Sequence, residues 1–132
     1  MMNFTELYSV AEAERKNAYA PYSGFKVGAA LLTENGKIYT GCNVENASYP
    51  VGICAERTAF SKAVSDGERK FSVIVIAGSS STYCYPCGMC RQFMAEFCGD
   101  DFEIISAKST DDYRIIKMGE LLPYTFDSSF FE

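Results

Sequence analysis

Residues Phe71–Gly99 read FSVIVIAGSSSTYCYPCGMCRQFMAEFCG, and this stretch decides the fold of the chain. Its first part, Phe71–Ala77, is a continuous apolar run rich in β-branched residues, which predicts a buried central strand. A serine-rich loop follows, and a helix is then predicted over Cys87–Phe97, ended by Gly99. A strand, a loop and a helix in this order are typical of α/β folds, in which helices cover a sheet.

Further elements are predicted on both sides of this stretch. They are a helix at Phe4–Tyr19, strands at Lys26–Thr33 and Lys37–Asn43, a helix at Cys54–Ser65, strands at Phe102–Ala107 and Tyr113–Lys117, and a helical turn at Glu120–Leu122. Asn3 and Glu6 are suited to cap the first helix, and Asn35-Gly36 is a strong hairpin signal between the first two strands. The order α-β-β-α-β-α-β-β predicts an α/β protein, a three-layer α/β/α sandwich with a mixed sheet of about five strands.

The composition of the chain excludes several classes of protein. With 132 residues, 48% of them hydrophobic, we expect a single domain over residues 1–132. The net charge of −5 disfavours a nucleic-acid polymer as partner but not a small neutral substrate. The first residues, MMNFTELYSV, do not resemble a secretion signal, and no stretch approaches the roughly 18 apolar residues of a membrane span. We therefore expect a cytoplasmic protein with no membrane partner.

Three cysteines at metal-ligand spacing are the main functional signal. Cys54 is followed by Ala55 and Glu56, and Cys87 and Cys90 lie three residues apart at the start of a predicted helix. In a chain without a secretion signal, metal binding or catalysis is a better explanation for cysteines than disulfides. Because the chain has no histidine, its metal ligands must be Cys, Asp or Glu. Three protein ligands leave a fourth position open, as in catalytic zinc sites, and Glu56 would lie beside that position.

Other uses of the cysteines compete with the zinc site. Cys84 and Cys87 form a C-x-x-C that would suit a redox pair, although Tyr85, ahead of a proline, favours an extended chain there. Cys84, Cys87 and Cys90 also resemble the start of an iron–sulfur run, but the expected fourth cysteine is absent. The remaining two, Cys42 and Cys98, are expected to be small buried apolar residues.

Four segments of the chain resemble the small cytidine deaminases, a family of zinc nucleoside deaminases. They are Ala20–Ala30 (APYSGFKVGAA), Gly41–Tyr49 (GCNVENASY), Cys54–Ala59 (CAERTA) and Pro86–Gln92 (PCGMCRQ). The general signature of zinc deaminases pairs x-E after a first ligand, which is His or Cys, with P-C-x-x-C, and this chain has Cys54 as the first ligand. The chain departs from the family at Tyr85, where a small residue is common, and in the extra thiol of Cys84.

The resemblance implies a function and a set of site residues. The function is zinc-dependent hydrolytic deamination of cytidine and deoxycytidine to uridine and deoxyuridine, with release of ammonia, in pyrimidine salvage. Glu56 would shuttle protons, with a raised pKa, and one Zn²⁺ per chain would be bound by Cys54, Cys87 and Cys90. The implied substrate contacts are Phe25, Asn43, Val44, Glu45, Ala55 and Phe126, and the implied supporting residues are Arg57, which donates to the thiolates, and Gln92.

The resemblance also implies a homotetramer, in which Phe126 packs on the base bound by a neighbouring subunit. The C-terminal tail around Phe126, Phe130 and Phe131 is too aromatic for a free terminus, although Phe130 and Phe131 would equally cover the sheet of their own domain. Two rival functions stay open: a deaminase of another aminopyrimidine compound, such as a nucleoside antibiotic, and a non-catalytic zinc or iron–sulfur module. A nucleotide or polynucleotide deaminase is disfavoured because no Lys/Arg cluster accompanies the substrate segments.

Overall fold

The structure is a computed structural model that describes residues 3–79 and 81–131. In chain order its helices and strands are α1 (Phe4–Glu14), β1 (Gly28–Thr33), β2 (Ile38–Cys42), α2 (Ala55–Ser65), β3 (Phe71–Ala77), α3 (Gly88–Phe97), β4 (Glu103–Ala107), β5 (Tyr113–Lys117) and α4 (Met118–Leu121). Short 3-10 turns cover Arg15–Asn17, Tyr49–Val51 and Ser128–Phe131. Among the described residues, no helix has both the length and the apolar character needed to cross a membrane.

The strands form one mixed sheet of five, in the order β2-β1-β3-β4-β5. Only the β3–β4 pair is parallel, and the other neighbours are antiparallel. The predicted hairpin between β1 and β2 is present, and its Gly36 has a φ of 90°, a left-handed conformation that glycine adopts without a steric penalty. The predicted sheet is therefore confirmed.

Helices cover both faces of the sheet, because side chains of each strand point alternately to opposite faces. On one face α1 packs against the sheet, and the buried residues there include Leu7, Ala11, Ala30, Leu32, Val75 and Ile105. On the other face α2 and α3 pack over a second cluster, which includes Ala29, Leu31, Ala59, Phe60, Ile74, Met94 and Ile104. The predicted three-layer α/β/α architecture is confirmed.

The predicted bounds of the first helix were too long. Asn3 caps it as expected, since its Oδ1 accepts a hydrogen bond from the backbone N–H of Glu6 at 2.9 Å. The α-helix ends at Glu14, however, and by Tyr19 the chain is extended. Tyr19 pairs with the end of β2, its N–H donating to the Asn43 carbonyl at 3.0 Å. A tertiary contact thus overrides the helical periodicity.

The other elements agree with prediction to within two residues. β1 begins at Gly28 rather than Lys26, β2 is one residue shorter at each end, and β4 begins one residue later. The last helical turn is shifted toward the N-terminus and runs over Met118–Leu121. Its start is set by Glu120, whose carboxylate accepts from the Lys117 N–H at 3.2 Å.

The topology brings two helix N-termini to one edge of the sheet. Since β2 and β3 are both antiparallel to β1, they run in the same direction, and α2 and α3 begin beyond their carboxyl ends. Gly41 lets α2 lie directly on β2, because a Cβ there would come within 2.2 Å of the Ala55 carbonyl oxygen. Helices that start at the same edge of a sheet can converge on a common site.

Candidate active site

Three cysteine sulfurs converge where α2 and α3 begin. Cys54 is the N-cap of α2, Cys87 is the N-cap of α3, and Cys90 lies in the first turn of α3. Their Sγ atoms all lie within 4.8 Å of one another, and those of Cys54 and Cys87 are 3.5 Å apart. A tetrahedral zinc with Zn–S bonds near 2.3 Å separates its sulfurs by about 3.8 Å. The spacing therefore fits a zinc ion.

The electrostatic environment of the cluster favours a thiolate at Cys54. A hydrogen bond from the Cys90 thiol, with a further contribution from Arg57, lowers the pKa of Cys54 to about 5. The same hydrogen bond and burial raise the pKa of Cys90. Arg57 donates through Nη2 to the Cys54 sulfur at 3.8 Å, and the positive ends of two helices point at the site. Cys54 is thus the thiol of this pair that ionises more readily.

Glu56 lies in the first turn of α2, beside the cysteines, and is only 3% exposed. Burial, followed by the charge of Cys54, raises the pKa of its carboxyl group to about 7. A carboxyl group with a pKa near neutrality can both accept and donate a proton at physiological pH. The raised pKa agrees with the sequence-based expectation.

A cleft of about 300 Å³ connects the cysteines to the predicted sugar-binding segment, and its lining includes Asn43, Glu45, Cys54 and Cys87. The two segments are held together by a β-bridge in which Val44 and Ile53 exchange backbone hydrogen bonds of 2.9 and 3.0 Å. This bridge places Val44, just beyond the end of β2, beside Ile53, the residue before the N-cap Cys54. Residues distant from the zinc motif in sequence therefore share one cavity with it.

The side chains of Asn43 and Glu45 also brace the segment that precedes β1. Asn43 accepts from the Val27 N–H at 2.9 Å and donates to the Phe25 carbonyl at 2.8 Å. Glu45 accepts from the backbone N–H groups of Tyr22 and Ser23 at 2.9 and 3.1 Å, and from the Ser23 hydroxyl. The hydrogen bond from the Ser23 side chain lowers the pKa of Glu45. Their contact with a sugar stays a prediction.

Val44 also lines this cleft, whereas the predicted contacts Phe25, Ala55 and Phe126 are not among its described lining residues. Phe25 is 41% exposed, and its ring lies against Gly78 at the end of β3. Ala55 is fully buried at the start of α2. Phe126 is 57% exposed and stacks on Phe130, and its carbonyl accepts from Gln92 Nε2 at 2.9 Å. Gln92, on α3, thus holds the C-terminal segment through the Phe126 carbonyl.

The other cysteines do not join the cluster. Burial raises the pKa of Cys84 and of Cys98 to about 12, so both remain neutral thiols. Cys42 is buried, as predicted, and Cys98 is half-buried against the core. The Cys84–Cys87 pair is not a disulfide, since both residues are free thiols.

Sequence reasoning missed two residues that support the loop ahead of Cys87. Arg91 donates through Nε to the Pro86 carbonyl at 2.8 Å and through Nη1 to the Leu121 carbonyl at 3.0 Å. Ser106 donates from its hydroxyl to the Cys84 carbonyl at 2.8 Å. A signal for Ser106 was available, because a polar residue among the apolar residues of β4 needs a hydrogen-bond partner.

Comparison with known proteins places this site in a family. The profile of the family described as cytidine and deoxycytidylate deaminase zinc-binding region matches residues 1–105. A cytidine deaminase of Sporosarcina psychrophila is 44% identical over 95% of this chain and 92% of its own length. A probable cytidine deaminase of Dictyostelium discoideum is 46% identical over 95% of this chain and 86% of its own length.

The fold agrees with the same assignment. The crystal structure of cytidine deaminase from Burkholderia pseudomallei superposes with a TM-score of 0.90 at 46% identity, covering 95% of this chain and all of that one. The three-thiol cluster meets the requirement of a zinc site, and zinc is the metal named for the family. The chain therefore belongs to the zinc-binding cytidine and deoxycytidylate deaminase family.

Proposed function

We propose that this protein hydrolyses cytidine and deoxycytidine to uridine and deoxyuridine, releases ammonia, and serves pyrimidine salvage. The observation that carries the proposal is the buried carboxyl group of Glu56, with a pKa of about 7, next to a cluster of three thiols. Relatives named cytidine deaminase, 44% and 46% identical over nearly the whole chain, support the same substrate.

The metal and its ligands supply the first requirement of the reaction. A zinc ion held by Cys54, Cys87 and Cys90 would act as a Lewis acid that makes water a nucleophile near neutral pH. Three thiolates would leave one excess negative charge around a dication, which would weaken that effect. Arg57, which donates to Cys54, and the two helix N-termini offset part of the excess.

Glu56 supplies the proton transfers. One of its carboxylate oxygens accepts a proton from the attacking water and delivers it to N3 of the cytosine ring. A C–O bond forms at C4, and Glu56 then takes the proton of the new C4 hydroxyl and gives it to the amino group. The C4–N bond breaks as the C4 carbonyl forms, and ammonia leaves. Burial of Glu56 keeps its pKa close to the working pH, so neither transfer is strongly uphill.

The nucleoside would be recognised by groups at the edge of the sheet. Asn43 and Glu45, which line the cleft beside two of the cysteines, would hold the sugar hydroxyls. Phe25 would pack against the nucleoside, and the Ala55 N–H, at the first turn of α2, would donate to the base carbonyl. The acidic Glu45 and the net charge of −5 disfavour a 5′-phosphate.

The assembly proposed is a homotetramer with active sites at subunit boundaries, in a cytoplasmic protein. Four aromatic residues of the C-terminal segment are strongly exposed, namely Tyr124, Phe126, Phe130 and Phe131. Burial of such a patch against another subunit would remove apolar surface from water and help exclude water from the reaction. Phe126 would then pack on the base bound by the neighbouring subunit.

A direct assay tests the proposed activity. The purified protein, with zinc quantified, is mixed with cytidine, and the fall in ultraviolet absorbance and the ammonia released are followed together. We expect both in equal amounts, and none from Glu56→Gln with the same zinc content. A zinc-loaded parent protein that leaves cytidine and deoxycytidine unchanged would contradict the proposal.

A further inference from the structure

Ser106 is a fully buried hydroxyl residue in strand β4, whose other buried residues are apolar. Its neighbours in the chain, Ile105 and Ala107, belong to the cluster under α1, and Ile104 belongs to the cluster under α2 and α3. Because side chains alternate along a strand, Ser106 lies on the same face as Ile104, the face that carries α2 and α3. The hydroxyl donates to the carbonyl of Cys84 at 2.8 Å, across a separation of 22 residues. The bond joins β4 to the irregular segment that leads to Cys87.

Two backbone carbonyls of this segment, those of Cys84 and Pro86, accept hydrogen bonds from side chains. Residues 83–87 are neither helix nor strand, and the carbonyl of Cys87 accepts from the backbone N–H of Arg91 at 3.0 Å. Ser106 satisfies the carbonyl of Cys84, and Arg91 satisfies that of Pro86 at 2.8 Å. These two bonds hold the chain immediately before Cys87, which caps α3.

The side chain of Cys84 also affects the surroundings of Phe25. A Cβ on Gly78 would lie 2.9 Å from the Cys84 Cβ and 3.1 Å from Cζ of Phe25, so both side chains pack against the same glycine. A displacement of Cys84 would therefore change the surface on which the Phe25 ring lies. The carbonyl that accepts from Ser106 belongs to Cys84, which packs near Phe25 and lies three residues before Cys87.

We propose that Ser106 is a positioning residue. Its hydroxyl fixes the conformation of the loop that carries Cys87, and, because Cys84 and Phe25 pack against the same glycine, it also fixes the position of the Phe25 ring. Loss of the hydroxyl leaves a partly buried carbonyl without this partner, and the loop relaxes to satisfy it. Zinc would then be released faster, and the KM for cytidine would rise more than kcat falls. The effect on KM rests on the proposed function, whereas the effect on zinc does not.

The test uses a matched set of variants of the full chain. Ser106→Thr keeps the hydroxyl, and Ser106→Val has nearly the same shape as that variant without the hydroxyl. Thr33→Val is the control: Thr33 is also fully buried and bonded through its hydroxyl, to Lys37 in the β1–β2 turn. Zinc release to a chromophoric chelator is timed for each protein, and melting temperatures and kinetic constants for cytidine are recorded.

We expect Ser106→Val to release zinc about tenfold faster, the scale found when partners that orient metal ligands are lost. Ser106→Thr should restore the parental rate, and Thr33→Val should lower the melting temperature without changing zinc release. Equal rates of zinc release from the Ser106→Thr and Ser106→Val proteins would overturn the inference, as would equal acceleration by Thr33→Val. If the parent protein does not deaminate cytidine, the proposed function fails, but the comparison of zinc release remains decisive.

Discussion

Glu56→Gln tests the proposed chemistry most directly, because it changes ionisation with almost no change in shape. Glu56 is 3% exposed, and glutamine fills the same volume, so the fold and the three thiols should persist. The amide cannot accept and return a proton. Since one carboxylate serves several transfers, we expect turnover to fall by more than the roughly 10²–10⁴ of a typical acid/base step.

The same substitution has a pH-dependent effect on stability in the metal-free protein. The pKa of Glu56 is raised from 4.5 to about 7 by burial. A carboxyl group with a raised folded-state pKa contributes stability that is fully present below 4.5 and is lost as the pH rises through 7. This rise in pKa, about 2.5, corresponds to about 3 kcal/mol, which the glutamine variant does not lose.

The assay is urea unfolding of the metal-free parent and variant, with chelator and reductant present, at about pH 4.5 and about pH 8.5. The free energy of unfolding of the variant, relative to that of the parent, should rise by up to about 3 kcal/mol between the lower and the higher pH. Glu103→Gln, at an exposed position on β4, is the matched control and should show no such change. A pH-independent difference would refute the buried, protonated state of Glu56. Near-parental turnover by zinc-loaded Glu56→Gln would refute its role in proton transfer.

Three further outcomes are expected. Cys54→Ser should lower both the zinc content and the free energy of unfolding, since the metal ligands join two helices. Cys84→Ser, the control, should keep the metal. The reverse pattern in a zinc assay would disprove the ligand assignment. Cytidine and deoxycytidine should be turned over far better than their 5′-monophosphates, and comparable kcat/KM values would move the protein to the nucleotide class. Light scattering should give a tetramer, and Phe126→Ala should weaken substrate binding; an active monomer, or an unchanged KM, would remove the shared-site proposal.

The sequence by itself determined the order of helices and strands and the residues of the metal cluster. The apolar run Phe71–Ala77 and the Asn35-Gly36 turn carry local signals, which depend on neighbours in the chain. Cys87 and Cys90 carry a local signal of the same kind, because they are close in sequence, whereas Cys54 was joined to them by the motif pattern of the zinc deaminases. Thiol chemistry left zinc and an iron–sulfur centre open, and the open fourth position together with that resemblance favoured zinc.

The tertiary structure alone decided the contacts between distant segments. Tyr19 leaves the helical pattern because its backbone pairs with the end of β2, and α2 lies close to the sheet because Gly41 has no side chain. The pKa of Glu56 depends on burial by layers that its own segment does not contain. Ser106 meets Cys84 only because β4 lies beside β3 in the sheet. Such contacts arise from packing between elements, and periodicity along the chain carries no record of which elements will be neighbours.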